Sequence, residues 1–378
     1  MKITSFPIVC LMALLLLTQW ACKSDGSGET PDPCTSQLDQ GALFQTTVDQ
    51  LIIPRYQAFQ TAVNTLQSKT TSFLAAPEET TLLALQEAFK AAYVNWQYVA
   101  QYQFGPAEEV GLQMAVNNFP ADISLIQANI ENGKTDFSQP EAFDRGFPAM
   151  DYLLFGLADN NADIIAKYVD DAAIKVNYQA YLQNNIDAIK SKIDQVLNKW
   201  EKEGFREEFI AATGTAAGAS LSQMINGLNQ HYEVIRREKL GIPVGALTLG
   251  FSNPEKTEAY FAGISTQLAL TATQAAQEFY LGKGVDGVNR TGLDDYLQQI
   301  SETAEGQALH QSIAEQFNLA ITALAALADP LSEEINNNQS DVEATYAEVV
   351  KQVVNIKTDL PSLLCIAITY VDNPSDSD

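Results

Sequence analysis

Apolar residues recur three and four positions apart through most of this chain, and that spacing constrains the fold more than any other feature, because only an α-helix places such positions on one face. Leu43, Val48, Leu51, Ile52, Tyr56, Phe59, Val63 and Leu66 form one stripe. Pro54 is expected to bend it, since proline removes a donor from the helical ladder. Leu82, Leu85, Ala88, Phe89, Ala92, Tyr93 and Trp96 form a second stripe, opened by Pro77-Glu78-Glu79, whose carboxylates suit the positive end of a helix. Further helices are predicted near 160–203, 205–240, 254–281, 292–327 with a break, and 332–357. Alternating runs are scarce, so strands are minor and the fold class is all-α. Gly241-Ile242-Pro243 is expected to end a helix and open a loop to Pro254, and the Gly/Asn/Asp-rich stretch 282–292 makes another connection.

The N-terminus carries an export signal. Lys2 supplies the positive start, an apolar run lies around Ile8 to Leu17, and small Ala21 precedes Cys22. The run falls short of the ~20 residues that cross a bilayer. Ala21-Cys22 is where a lipoprotein signal peptidase cuts, which makes 1–21 the signal and Cys22 the lipidated residue; an ordinary secretory cleavage nearby is the other reading. Residues 22–36 form a Gly/Ser/Asp/Pro tether with nothing to bury, and KSDG directly after the cysteine leans toward the outer membrane, facing the periplasm or outside. Cys10 leaves with the signal, so Cys34 and Cys365 remain. In an oxidising compartment they form one disulfide joining the start and end of the domain, or stay as two thiols.

The formal net charge of −25 excludes nucleic acid as a partner, whose phosphates need a basic face. Length beyond 300 residues predicts two helical halves, 37–204 and 205–369, followed by an acidic tail over 370–378.

Arg145 to Gly156 reads RGFPAMDYLLFG. Trp96 to Pro106 reads WQYVAQYQFGP and is followed by Asn117 to Pro120, NNFP. The second half adds REKLGIPVG (237–245), NPEKTEAYFAGIS (253–265) and GLDDYL (292–297). Together these segments resemble the imelysin family, in its Bacteroidetes-type branch, from about Leu43 to the C-terminal helix. The family's signature is GxHxxE followed by an LLFG-like run, so here Pro148 stands at the histidine and Asp151 at the glutamate. Ala100 stands where the family often carries glutamate before its FRFGP-like turn, and Gln103 at the arginine.

The resemblance implies two four-helix-bundle-like halves packed face to face, with the signature near their interface, in an exported protein linked to iron uptake. It marks Gly146, Pro148, Asp151 and Arg145 as motif-equivalent binding positions, and Asp151 as a candidate ligand for iron or another divalent metal. The family takes its name from an insulin-cleaving peptidase, but the residues here argue against that chemistry. Zinc peptidases need about three protein ligands and a carboxylate base. His231 and His310 are the only histidines, neither in HExxH or HxxE spacing, and each reads first as a satisfied polar or surface residue. Pro148 has neither a side-chain lone pair nor an N–H. It is expected in the first turn of a helix carrying Met150 to Phe155, which would leave Asp151 as a first-turn carboxylate favoured by the helix dipole. The functional alternative makes Asp151 an inward-facing carboxylate between the halves, helped by Arg145 or Asp144. Further oxygen ligands would come from Glu108, Glu109, Glu233, Glu238, Asp294 or Asp295, each of which also reads as a solvated acid. Trp96, Tyr98, Tyr102 and Phe104 fit a bundle core first and a cleft wall second. No catalytic residue is assigned, and no GxSxG, P-loop or dinucleotide fingerprint is present.

The resulting expectation is an imelysin-like cell-envelope lipoprotein, a non-enzymatic binding component of iron or iron-complex uptake, partnered by its lipid anchor and by an outer-membrane transport receptor or an iron complex. The competing readings are a metal-dependent peptidase with displaced ligands and a helical outer-membrane scaffold or nutrient-binding lipoprotein.

Overall fold

The computed structural model describes residues 39–137, 143–170, 173–300 and 304–369. The signal, Cys22, the tether, Cys34 and the acidic tail lie outside the described residues.

The principal helices are α1 (Ile53–Ala75), α2 (Glu79–Val99), α3 (Gly146–Asp151), α4 (Lys175–Lys202), α5 (Ser220–Val234), α6 (Ser265–Tyr280), α7 (Ala304–Ala325) and α8 (Gln339–Val353). Among the described residues, extended pairing amounts to one antiparallel bridge, Lys283 with Asn289. By contact the helices sort into two groups. In the first, α1 packs on both α2 and α4, and short helices between Pro106 and Val169 fill the remaining side of α4. In the second, α5, α6, α7 and α8 pack together. The helix Phe205–Ala211 packs on α4, where Trp200 meets Phe205 and Phe209 edge-on at 4.7 and 5.5 Å. Contact between α2 and α6 joins the groups.

Both predicted stripes are buried, since Leu43, Val48, Tyr56, Phe59, Val63 and Leu66, and Leu82, Leu85, Phe89, Tyr93 and Trp96, all enter one continuous core. Glu78 and Thr81 close a reciprocal capping box at the start of α2. Cys365 is disulfide-bonded. Among the described residues, no helix is long and apolar enough to cross a membrane.

Prolines act differently from expectation. The helix around Gly241 does not stop there; it widens into a π-helix over Ile235–Gly241 and continues through Ile242–Val244. Wide turns over Thr47–Ile52 and Val354–Asp359 likewise run up to Pro54 and Pro361. In each case the residue just before the proline donates its N–H five residues back: Ile53 to Val48, Ile242 to Arg237 and Leu360 to Asn355. Shifting the ladder to i→i+5 pairing accommodates the missing proline donor without ending the helix. Likewise, 254–281 opens not as one helix but as a 3-10 turn, Pro254–Lys256, and a turn-rich loop that reaches α6 at Ser265.

Candidate functional site

Gly146 begins α3 at φ +74°, where a Cβ would come within 2.3 Å of the Val116 carbonyl oxygen. A side chain there would face both left-handed strain and main-chain overlap. This start makes Pro148 the third residue of the helix and Asp151 its last, so Asp151 is not the first-turn dipole carboxylate that the motif spacing predicts. Its partner is elsewhere. The Asp151 carboxylate, buried with the rest of α3, accepts the backbone N–H of Phe261 at 3.0 Å and of Ala262 at 2.7 Å. A side chain of the first helical group thereby holds the loop entering α6 in the second.

Arg145 does not assist it. The Arg145 guanidinium pairs with Asp144 at 2.8 Å, donates to the Phe137 carbonyl and lies over the Phe137 ring, while Asp144 also accepts from Asn129 at 3.1 Å.

The same loop carries Glu258, which is 1% exposed and forms an ion pair with Lys239, itself 2% exposed. Lys239 lies within the π-helix Ile235–Gly241. Both groups are completed from the first helical group. Gln97 on α2 accepts from the Lys239 ammonium at 2.9 Å, and Asn117 donates to Glu258 at 2.8 Å while accepting the Tyr93 hydroxyl at 2.7 Å. A charge pair so enclosed is held by hydrogen bonds to every exposed lone pair or not at all. Burial pulls the Lys239 ammonium below its usual range, against the pull of Glu258. Burial also pushes the Asp151 carboxyl up to about 7, helped by the Glu258 charge and opposed by the two backbone N–H groups.

Two cavities flank this pair. One, of about 300 Å³, lies between Phe119-Pro120, Pro148, Asp151 and the loop residues Glu255, Lys256 and Tyr260. The other, of about 110 Å³, is lined by Trp96, Ala100, Gln103, Asn117, His231 and Lys239, among others. Thus the four positions where the sequence departs from the family pattern border two cavities on either side of one ion pair. His231 donates its Nε2–H to the Ala272 carbonyl at 3.0 Å, and burial lowers its imidazole to about 4, so it is neutral. His310 lies apart, bonded to Tyr280 at 3.1 Å.

The other candidate acids are placed away from Asp151. Glu109 pairs with Lys199 at 2.8 Å, Glu233 with Arg236 at 2.6 Å and Lys357 at 3.3 Å, Glu238 lies 3.9 Å from Arg237, and Asp295 accepts the Gly292 N–H at 3.1 Å. Neither they, Glu108 nor Asp294 line the cavity at Asp151. Among the described residues, no group of three His, Cys, Asp or Glu side chains is arranged to hold a metal ion. Of the aromatic residues, Trp96 packs on Phe59 at 5.6 Å, Tyr102 on Phe279 at 5.4 Å and Phe104 on Phe209 at 5.7 Å, while Tyr98 lies under the Arg55 guanidinium at 4.1 Å.

Lys239, Glu258, Gln97 and Asn117 carry the site and were not singled out by sequence reasoning. The available signal was that all four fall inside family-like segments, Gln97 in 96–106, Asn117 in 117–120, Lys239 in 237–245 and Glu258 in 253–265. Against it stood residue type, because Lys and Glu are the side chains least expected in an interior.

Comparison with known proteins agrees with this architecture. A sequence profile of the family described as Imelysin matches residues 52–358. Iron-regulated protein A of Synechococcus elongatus is 23% identical over 337 residues, covering 87% of this chain and 86% of that protein. A crystal structure assigned as an iron-regulated protein A precursor from Parabacteroides distasonis superposes with a TM-score of 0.71 at 16% identity, over 87% of this chain and 96% of that one. An imelysin-like protein from Psychrobacter arcticum gives a TM-score of 0.67 at 15% identity, over 89% and 98%.

Proposed function

This chain belongs to the imelysin family, and from that premise we propose that it is a non-enzymatic binding component of iron acquisition at the cell envelope, taking an iron complex rather than a bare ion between its two helical groups. The relative named iron-regulated protein A supports the link to iron. The word precursor in the name of a structural neighbour supports export, and the proposal includes anchoring through a lipid on Cys22.

The observation that carries the choice of ligand is the engagement of Asp151. Both of its oxygens accept backbone N–H groups, and the proline at 148 offers no nitrogen in place of the family histidine. Glu258, whose charge acts on Asp151, is neutralised by Lys239, which leaves Glu255 as the one other carboxylate lining the cavity. A hard divalent ion needs about six oxygen ligands and a zinc ion about four donors. These residues do not fit a bare ion, and no catalytic step through one is derived. What they build is a cleft of about 300 Å³ whose largely apolar wall of Phe119, Pro120, Ile123, Pro148 and Phe261 carries two carboxylates, the engaged Asp151 and the loop residue Glu255, beside Lys256, at the lower end of the size range of small-molecule pockets.

The test uses the chain without residues 1–22. Equilibration with ferrous or zinc ions, desalting and elemental analysis are expected to leave no stoichiometric metal, whereas titration with ferric citrate is expected to change the fluorescence of Trp96, which borders the interface. Near-stoichiometric zinc or iron retained by the wild type and lost in Asp151→Ala would overturn this reading in favour of a metal site, and with it revive a peptidase.

A further inference from the structure

The smaller cavity has donors left unsatisfied by the described residues. Gln103 presents a buried Nε2 with no hydrogen-bond partner among the described residues, a state in which an amide N–H forfeits its hydration without compensation. Lys239 has three N–H bonds. Gln97 and Glu258 accept two of them, and beyond the Phe119 ring, whose centre lies 5.5 Å from the ammonium, no oxygen or nitrogen among the described residues takes the third. His231 supplies the opposite property. A carbonyl can only accept, so the contact with Ala272 fixes the proton on Nε2, and the neutral ring keeps Nδ1 as an acceptor. All three side chains line the same cavity of about 110 Å³, room for roughly four water-sized groups.

We infer that this cavity is a binding site for a single α-hydroxycarboxylate group, its carboxylate oxygens accepting from Gln103 and Lys239 and its hydroxyl donating to Nδ1 of His231. The charge count selects one carboxylate over a phosphate or a polyanion. Lys239 is already balanced by Glu258, so an entering anion is held by hydrogen bonds and by the proximity of the ammonium, with no unpaired cation to meet a second charge. A carboxylate is also planar and takes two donors side by side, as the Gln103 amide and the Lys239 ammonium offer.

The cavity has an entrance that suits a larger molecule carrying such a group. Gln103, Gln113 and Gln230 line it and also line an open groove of about 740 Å³ whose apolar wall is formed by Phe104, Met114 and Phe205. A hydroxycarboxylate arm would lie inside the glutamine neck while the rest of the molecule, including any metal the other arms chelate, stays in the groove. This names the chemical class of the complex and places its arm in the smaller cavity, not in the cleft at Asp151, and it rests on the proposed function only for the presence of iron.

The test is calorimetric titration of wild type, Gln103→Leu and Gln103→Glu with glycolate, citrate, ferric citrate and the neutral analogue glycolamide. Gln103→Leu removes an unsatisfied donor, so it is expected to fold with an unchanged or higher melting temperature, which separates binding from stability. Glycolate and citrate are expected to bind wild type and to bind Gln103→Leu on the order of tenfold more weakly, the worth of one hydrogen bond to a charged group. Gln103→Glu places an acceptor against the carboxylate and is expected to abolish binding, and glycolamide is expected to bind less well than glycolate to wild type. Citrate binding without any binding of ferric citrate would keep the cavity assignment and sink the iron-complex reading. Ferric citrate bound equally by wild type and Gln103→Leu would keep the iron reading and overturn the cavity assignment, as would no binding of glycolate or citrate to wild type.

Discussion

Replacing Asp151 by asparagine changes how stability depends on pH, and the direction follows from burial. The Asp151 carboxyl titrates at about 7 in the folded protein against 3.8 in an exposed chain. A folded-state pKa raised above the unfolded one means that the native protein holds a proton the unfolded chain has released, so stability is present in full below pH 4 and is lost as pH rises through 7. The span from 3.8 to about 7 corresponds to about 4 kcal/mol, of which about 2 kcal/mol falls between pH 5 and 7. Asp151→Asn cannot titrate and has no such slope. It does lose one acceptor, since its amide nitrogen must face the N–H of Phe261 or Ala262, at a cost of about 1–3 kcal/mol. Wild type is therefore expected to be the more stable protein at pH 5, with the difference shrinking or reversing by pH 8. Urea unfolding of both proteins at each pH unit from 5 to 8 measures this directly, because other groups titrate alike in both. Asp294, pushed up to about 6 by its own burial, contributes a slope of the same sign that cancels in the difference. Stability curves that run parallel over this range would refute the argument and show that the two backbone N–H groups, not burial, govern the carboxyl.

The ion pair and the turn before it offer further tests. Lys239→Met leaves Glu258 buried without its cation and is expected to cost about 3–5 kcal/mol, most of it recovered in the double variant Lys239→Met with Glu258→Gln, as read by chemical unfolding of the three proteins. Gly146→Ala is expected to cost about 2–4 kcal/mol, from the left-handed backbone and the 2.3 Å approach of a Cβ to the Val116 carbonyl; a melting temperature equal to wild type would show that the turn rearranges freely.

The helices were legible in the sequence because their burial is one-sided. Leu82, Leu85, Phe89, Tyr93 and Trp96 lie on one face of α2, and all five are in the core. Their ends were less so. Gly241-Ile242-Pro243 carries the residues that ordinarily stop a helix, yet the i→i+5 bond from Ile242 to Arg237 absorbs the missing donor and lets the chain continue. That choice depends on what surrounds the turn, which no local pattern reports. For the same reason the spacing from Pro148 misplaced Asp151 within its helix. Gly146 starts the helix two residues before the proline, and this rotation turns the carboxylate from a dipole partner of its own helix into an acceptor for a loop more than a hundred residues away.

The residues least legible, Lys239 and Glu258, set the surroundings of those that depart from the family signature. With the two charges of this pair spent on each other, the interface has no spare carboxylate at Glu258 to offer a second cation. Glu258 offsets the charge of Lys239 but is itself consumed in doing so, since Asn117 and Gln97 donate to its other oxygen. In such surroundings an arginine at 103 would add another positive charge to the cavity that Lys239 already lines, and a histidine at 148 would be a metal ligand beside a carboxylate already committed to the backbone. Glutamine and proline are neutral at those positions, and glutamine keeps donors without bringing charge. Ala100, Gln103, Pro148 and Asp151 thus bring no further positive charge to the two cavities, and the ion pair between them is the internal charge around which this interface is arranged.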